Sequence, residues 1–98
     1  MIAQMLRDFI KSGMQVDFSH HGDYFNAVVY LRDGVTVSIG YGASHYSSTR
    51  FDRNIGPTTA LLLAERAEVV AFRNMRAITE VKGYQSSRQI RALVRKWS

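Results

Sequence analysis

The 98 residues include no cysteine. Disulfides, thiolate catalysis and cysteine-ligated zinc are therefore excluded, and the absence fits a reducing compartment. No run is long and apolar enough to span a membrane. The opening stretch MIAQMLRDFIKSGM is interrupted by Arg7, Asp8 and Lys11, so it lacks the unbroken apolar region of a signal peptide. A cytoplasmic protein without membrane contact is expected. There are no internal repeats or low-complexity segments. Acidic residues run out towards the C-terminus: from Lys82 onward the chain carries five basic side chains and no acidic one.

A hydrophobic fraction of 46 % is ordinary for a globular chain and argues against disorder. The length implies one domain, residues 1–98, with a modest core that self-association or a partner could complete. The net charge of +5 is unevenly placed: residues 1–57 balance five basic against five acidic side chains, whereas residues 58–98 carry eight against three. Ten of the thirteen basic residues are arginine, whose planar fork donates paired hydrogen bonds to phosphate or carboxylate. Such a basic half implies an acidic partner: nucleic acid, an acidic protein surface or anionic lipid. Solubility alone is the plainer use of the same charge.

Ile2, Met5, Leu6, Phe9, Ile10 and Met14 fall on one helix face, and Gly13 is a natural stop. This amphipathic helix is expected to pack on a sheet. VDFSHHGDY reads as a short extended piece and a loop. YFNAVVYLRDGVTVSIGYG reads as a hairpin. A three-residue Arg32-Asp33-Gly34 loop pairs Leu31 with Val35, Val29 with Val37, Ala27 with Ile39 and Phe25 with Tyr41. That register gathers the alternating apolar residues on one face, leaving a flat polar face of Asn26, Tyr30, Thr36, Ser38, Gly40 and Gly42. Residues 44–53 form a possible third strand. TTALLLAERAEVVAFRNMRAITE, entered through Pro57 with Thr58 or Thr59 as cap, is composed for a long helix. Its apolar arc is Leu63, Ala64, Ala67, Val70, Ala71, Met75 and Ile78. Lys82-Gly83-Tyr84 breaks it, and Ser86 or Ser87 caps a last helix with Ile90, Leu93, Val94 and Trp97 inward. The fold expected is a small α+β domain, order α-β-β-(β)-α-α. It has an antiparallel two- or three-stranded sheet with helices on one face.

No catalytic constellation has the required spacing, and neither metal nor cofactor is implied. His20, His21 and His45 with Asp17 and Asp23 are the candidates for a metal site, but adjacent residues of an extended segment point oppositely. The glycine-rich GYGAS is not followed by the helix start that a phosphate loop needs. Gly40 and Gly42 instead suit a bend or close approach. Ser44, Ser47, Ser48, His45 and Asp52 could be drawn as a nucleophile set, without an elbow or oxyanion loop.

VVYLRDG, VSIGYG and LLLAERAEVVAF together resemble the hairpin and following helix of zinc-dependent nucleoside deaminases. There the Ala64-Glu65 pair would follow a metal ligand, but Leu63 stands in that place and no cysteine pair follows. The helix–three strands–helix order over residues 1–78 resembles the double-stranded-RNA-binding domain, which would imply contact with an RNA duplex. NIGPTTALLL lacks that family's lysines at the second helix.

The expected contact surface is therefore two stripes, Arg66, Arg73 and Arg76 on the long helix and Arg88, Arg91, Arg95 and Lys96 on the last, with Lys82 in the connection between them. The expected function is a non-enzymatic protein gripping nucleic-acid backbone. The alternative is a protein-interaction module docking on an acidic partner, such as a compact inhibitor or regulator of phage or mobile-element origin. A homodimer is possible in either case.

Overall fold

A computed structural model describes residues 1–50 and 54–98. Helix α1 (Ile2–Lys11) leads into strands β1 (Gln15–His21), β2 (Tyr24–Tyr30) and β3 (Val35–Gly40). Helix α2 (Pro57–Leu63) follows, then strands β4 (Arg66–Arg73), β5 (Arg76–Ala77) and β6 (Lys82–Ser86), and helix α3 (Ser87–Trp97). The sheet is antiparallel throughout, ordered β1-β2-β3-β4-β5, with β6 also paired to β4. The α+β class and the antiparallel sheet hold; the expected two or three strands are six, and the element order α-β-β-(β)-α-α is corrected to α-β-β-β-α-β-β-β-α.

The parts set by local chemistry form as expected. Ile2, Met5, Leu6 and Phe9 of α1 are buried. Gly13 ends that helix at φ +94°, where Met14 N donates to Phe9 O and Gly13 N to Ile10 O, the paired bonds of a Schellman cap. Ser86 and Gln89 form a reciprocal capping box on α3. The β2–β3 hairpin has the three-residue loop. Ala27 pairs with Ile39 and Val29 with Val37, Leu31 N donates to Val35 O, and Tyr41 N donates to Phe25 O. Gly34 sits at φ +73°, and a side chain there would strike Asn74 of the neighbouring hairpin.

Three segments differ from expectation. Residues 15–21 are a full strand, each paired with β2. Residues 44–50 form turns and bends rather than a third strand; Asp52 and the rest of 51–53 lie outside the described residues. The largest correction is the long helix, which is only α2, with Gly56 as N-cap and Pro57 as its first residue. Ala64 turns extended, and Arg66–Arg73 become β4, hydrogen-bonded to β3. Alanine and leucine favour helix, but intrinsic propensity is a weak prior that tertiary pairing overrides. Here Ala67, Val69 and Ala71 alternate inward onto the core and complete the open edge of β3. Lys82-Gly83-Tyr84, read as a helix breaker, opens β6, whose pairing with β4 is irregular between Ala67 and Val69; Tyr84 there has φ +53°.

The core lies between one sheet face and the helices. Ala27, Val29, Val37, Ile39, Ala67, Val69 and Ala71 meet Ile2, Met5, Leu6, Ala60, Ile90 and Val94. Each fully buried aliphatic side chain of valine or leucine size contributes about 1.5–3 kcal/mol. Among the described residues the other sheet face has no helix on it.

The β4–β5 hairpin turns on Asn74 and Met75, both at positive φ, +50° and +68°, between the paired Arg73 and Arg76. Positive φ at both turn positions is the type I′ arrangement, which normally has glycine second. Met75 is 95 % exposed, so packing offers no compensation for its strain. Met75→Gly is expected to raise stability by about 1 kcal/mol, read as a higher denaturant midpoint with unchanged slope.

Candidate functional site

The strand register assigns each basic side chain to a side. Arg73 is opposite the buried Val35 and Arg76 is opposite Arg73, so both stand on the helix-bearing side. Lys82 is opposite Val69 and lies beside Gln89 and Leu93 of α3. Arg66 alternates with the buried Ala67 and so lies on the opposite face, where its guanidinium donates to Tyr84 O at 3.0 Å. The expected stripe Arg66–Arg73–Arg76 therefore does not exist: it needed a helix, and on a strand Arg66 and Arg73 are seven residues apart and point oppositely. The other seven expected residues share one side.

On α3, Arg88, Arg95 and Lys96 are exposed and Arg91 is half-buried. Arg91 donates to Asp8 Oδ2 at 2.8 Å and lies over the Phe9 ring at 5.8 Å. This ties α3 to α1 and brings Arg7 and Lys11, both exposed on α1, onto the same helical layer. Those two were missed from sequence because they read as the wet side of an amphipathic helix. Nothing local announces that α1 neighbours a helix more than 70 residues later. Trp97 is half-buried against the core, as expected for a packing residue, with Arg73 at 5.4 Å from its ring centroid and Lys96 at 5.5 Å.

The two longer helices are predominantly basic. α1 and α3 carry six basic side chains and one acidic, Asp8, which Arg91 holds. The acidic strand residues are Asp17 and Glu68, both on the face away from the helices. There Asp17 hydrogen-bonds Tyr30 and holds the phenol above its ordinary pKa. Glu68 Oε1 lies 3.2 Å from His45 Nδ1, and its Oε2 accepts from Tyr46 N. The exposed Tyr24 and Tyr30 alternate with core residues of β2, so they also face away from the basic layer. Stacking on bases is thus poorly served there and backbone contact is favoured.

The Arg91 guanidinium and Gln4 hold the Asp8 carboxyl below the usual carboxylate range. A depressed folded-state pKa gives stability that is present above the unfolded value and lost as pH falls through the folded one. Asp8→Asn is expected to lower the thermal midpoint slightly at neutral pH, with the difference from the native chain fading in acid. The same change removes the layer's one negative charge and frees Arg91, so affinity for an acidic ligand should rise.

The remaining chemistry-bearing side chains lie on β1 and in the 42–50 turns. His20 and His21 face opposite sides, paired with Phe25 and Tyr24 respectively. His45, 4 % exposed, packs over Gly40, where a side chain would collide with its ring, and against Tyr24 at 4.5 Å. Ser44 Oγ donates to Asp23 O and Ser47 Oγ to Gly42 O, while Ser48 Oγ accepts from the Glu65 and Arg66 amides. The serines pin the 42–50 turns to the sheet rather than face a base. Among the described residues no three His, Cys, Asp or Glu side chains are grouped to hold a metal ion, and no helix is long and apolar enough to cross a membrane.

No family model matches the chain, and neither a curated protein nor a solved structure matches it. The deaminase resemblance loses its helix, since its segment is β4. The α-β-β-β-α order of the RNA-binding resemblance does occur over residues 2–63, but there the sheet continues through β4 rather than ending at β3.

Proposed function

We propose that this chain is a small non-enzymatic cytoplasmic protein that binds the phosphate backbone of nucleic acid through its helical layer. The predominantly basic charge of α1 and α3 carries the reading. Arg7, Lys11, Arg88, Arg91, Arg95 and Lys96 stand on α1 and α3, flanked by Arg73, Arg76 and Lys82, and Asp8 is the one carboxylate on either helix. Neutralising several phosphates releases condensed counterions, which drives binding without base readout. Arginine suits this because its fork matches phosphate oxygens. The test is retention of the nuclease-treated protein on immobilised DNA and RNA duplexes at low salt, with elution as salt rises. Absence of retention on either would remove the reading.

A protein partner is the second reading, favoured by the sheet face that carries no helix. Val28, Val70 and Phe72 are half-buried there, beside exposed Tyr24 and Tyr30. Apolar surface rimmed by polar groups is a common docking feature. A complex captured from extract that survives nuclease, and that is lost when Phe72 and Tyr30 are changed to serine, would favour this reading over the first.

A further inference from the structure

We propose that β1 is the seam of a two-fold homodimer, pairing antiparallel with β1 of a second copy in a register centred on Phe18. β1 is the end strand of the sheet. One edge pairs with β2 over all seven residues without irregularity; among the described residues its other edge has no partner. Six of its seven residues are exposed. Natural sheets guard such edges with lysine, proline, a bulge or a very short strand. QVDFSHH has no lysine, proline or bulge, and its one charge, Asp17, stands on the face away from the helices, so it offers an extended row of unpaired amides and carbonyls, and the occupant that satisfies them is another strand.

The side chains select the same strand from a second copy. About Phe18, Asp17 is opposite Ser19 of the other copy, Val16 opposite His20 and Gln15 opposite His21, and the two Phe18 rings meet each other. No like charges are opposed, and aromatic pairs across strands are favourable. A register centred one residue earlier would set Asp17 against Asp17. Phe18 is 50 % exposed and borders a groove of about 420 Å³ between β1 and α2, lined also by Tyr41, Pro57 and Leu61. The exposed Leu62 and Leu63 of α2 stand nearby in the chain. A second copy would cover this apolar rim and close the assembly, since isologous pairing leaves no further edge of the same kind.

The two-fold axis of such a pairing is perpendicular to the sheet, so both helical layers lie on one side. The dimer would present the basic surface twice on a single face, lengthening the reach along an extended polyanion. The inference does not depend on what that polyanion is: a chain that dimerises but ignores nucleic acid would defeat only the preceding proposal.

The test uses the full chain, freed of nucleic acid and held at high salt. Sedimentation should show a concentration-dependent monomer–dimer equilibrium. Phe18→Lys, which opposes two ammonium groups at the seam, should leave a folded monomer by circular dichroism. Because the native chain has no cysteine, Phe18→Cys provides one unambiguous reporter. Its oxidative cross-linking should be at least about tenfold faster than that of Glu80→Cys, an exposed control far from the seam, because pairing raises the local thiol concentration. A monomer at every concentration, or cross-linking at position 18 no faster than at position 80, overturns the proposal.

Discussion

Replacing Arg88, Arg91 and Arg95 together by glutamine is expected to weaken binding to a nucleic-acid duplex by about 100-fold at low salt, from about 1 kcal/mol for each exposed charge pairing. The salt dependence should flatten at the same time, by about 0.9 in the slope of log K against log salt for each phosphate that is no longer neutralised. Glutamine keeps two of the three methylenes and a polar end, and Ile90 and Val94 hold α3 to the core, so the fold should survive. Removing the Arg91–Asp8 pair costs little, because an ion pair this exposed is well screened. Arg66→Gln is the internal control: Arg66 stands on the other sheet face and should change affinity far less. Fluorescence anisotropy across a salt series, with circular dichroism on each variant, checks all of this. An equal drop in affinity from Arg66→Gln and from any one of the α3 arginines would show that position does not matter and that only net charge does.

The second large effect lies in β4. Val69→Asp is expected to cost about 3 kcal/mol, because it sets a carboxylate in the core and the exposed Lys82 opposite answers it only in part. That is a large fraction of the stability of a small domain, so the denaturant midpoint of this variant should fall steeply. Val70→Asp should be far milder, since Val70 is half-exposed on the face without helices. A continuous helix through this segment reverses the order, because there Val70 belongs to the inward arc and Val69 lies at its margin. Denaturant midpoints of the two variants therefore decide between strand and helix, independently of any ligand.

This segment also shows where sequence reasoning stops. α1, the β2–β3 register and the cap of α3 were legible because each depends on neighbours within a few residues: an apolar spacing, a three-residue Arg32-Asp33-Gly34 loop, a serine just before an apolar helix face. LLLAERAEVVAFRNMRA satisfies two periods at once. Ala64, Ala67 and Ala71 suit a helix face, whereas Ala67, Val69 and Ala71 suit a strand face, and small residues tolerate both. What decides is the unfilled edge of β3 some 30 residues earlier, a non-local contact. The surface was half legible for the same reason. The α3 arginines are grouped in the sequence itself, but Arg7 and Lys11 join them only through a fold that sets Asp8 beside Arg91. Arg66 leaves the group once its segment is a strand.

The central claim is that the layer formed by α1 and α3 grips a phosphate backbone. The most direct measurement is the salt dependence of binding between the nuclease-treated native chain and a short duplex. Several phosphate contacts predict a straight line of log K against log salt with a slope steeper than about −3, little change with base sequence, and a shallower slope for the triple glutamine variant. Binding that is absent at low salt, or indifferent to salt, would contradict it.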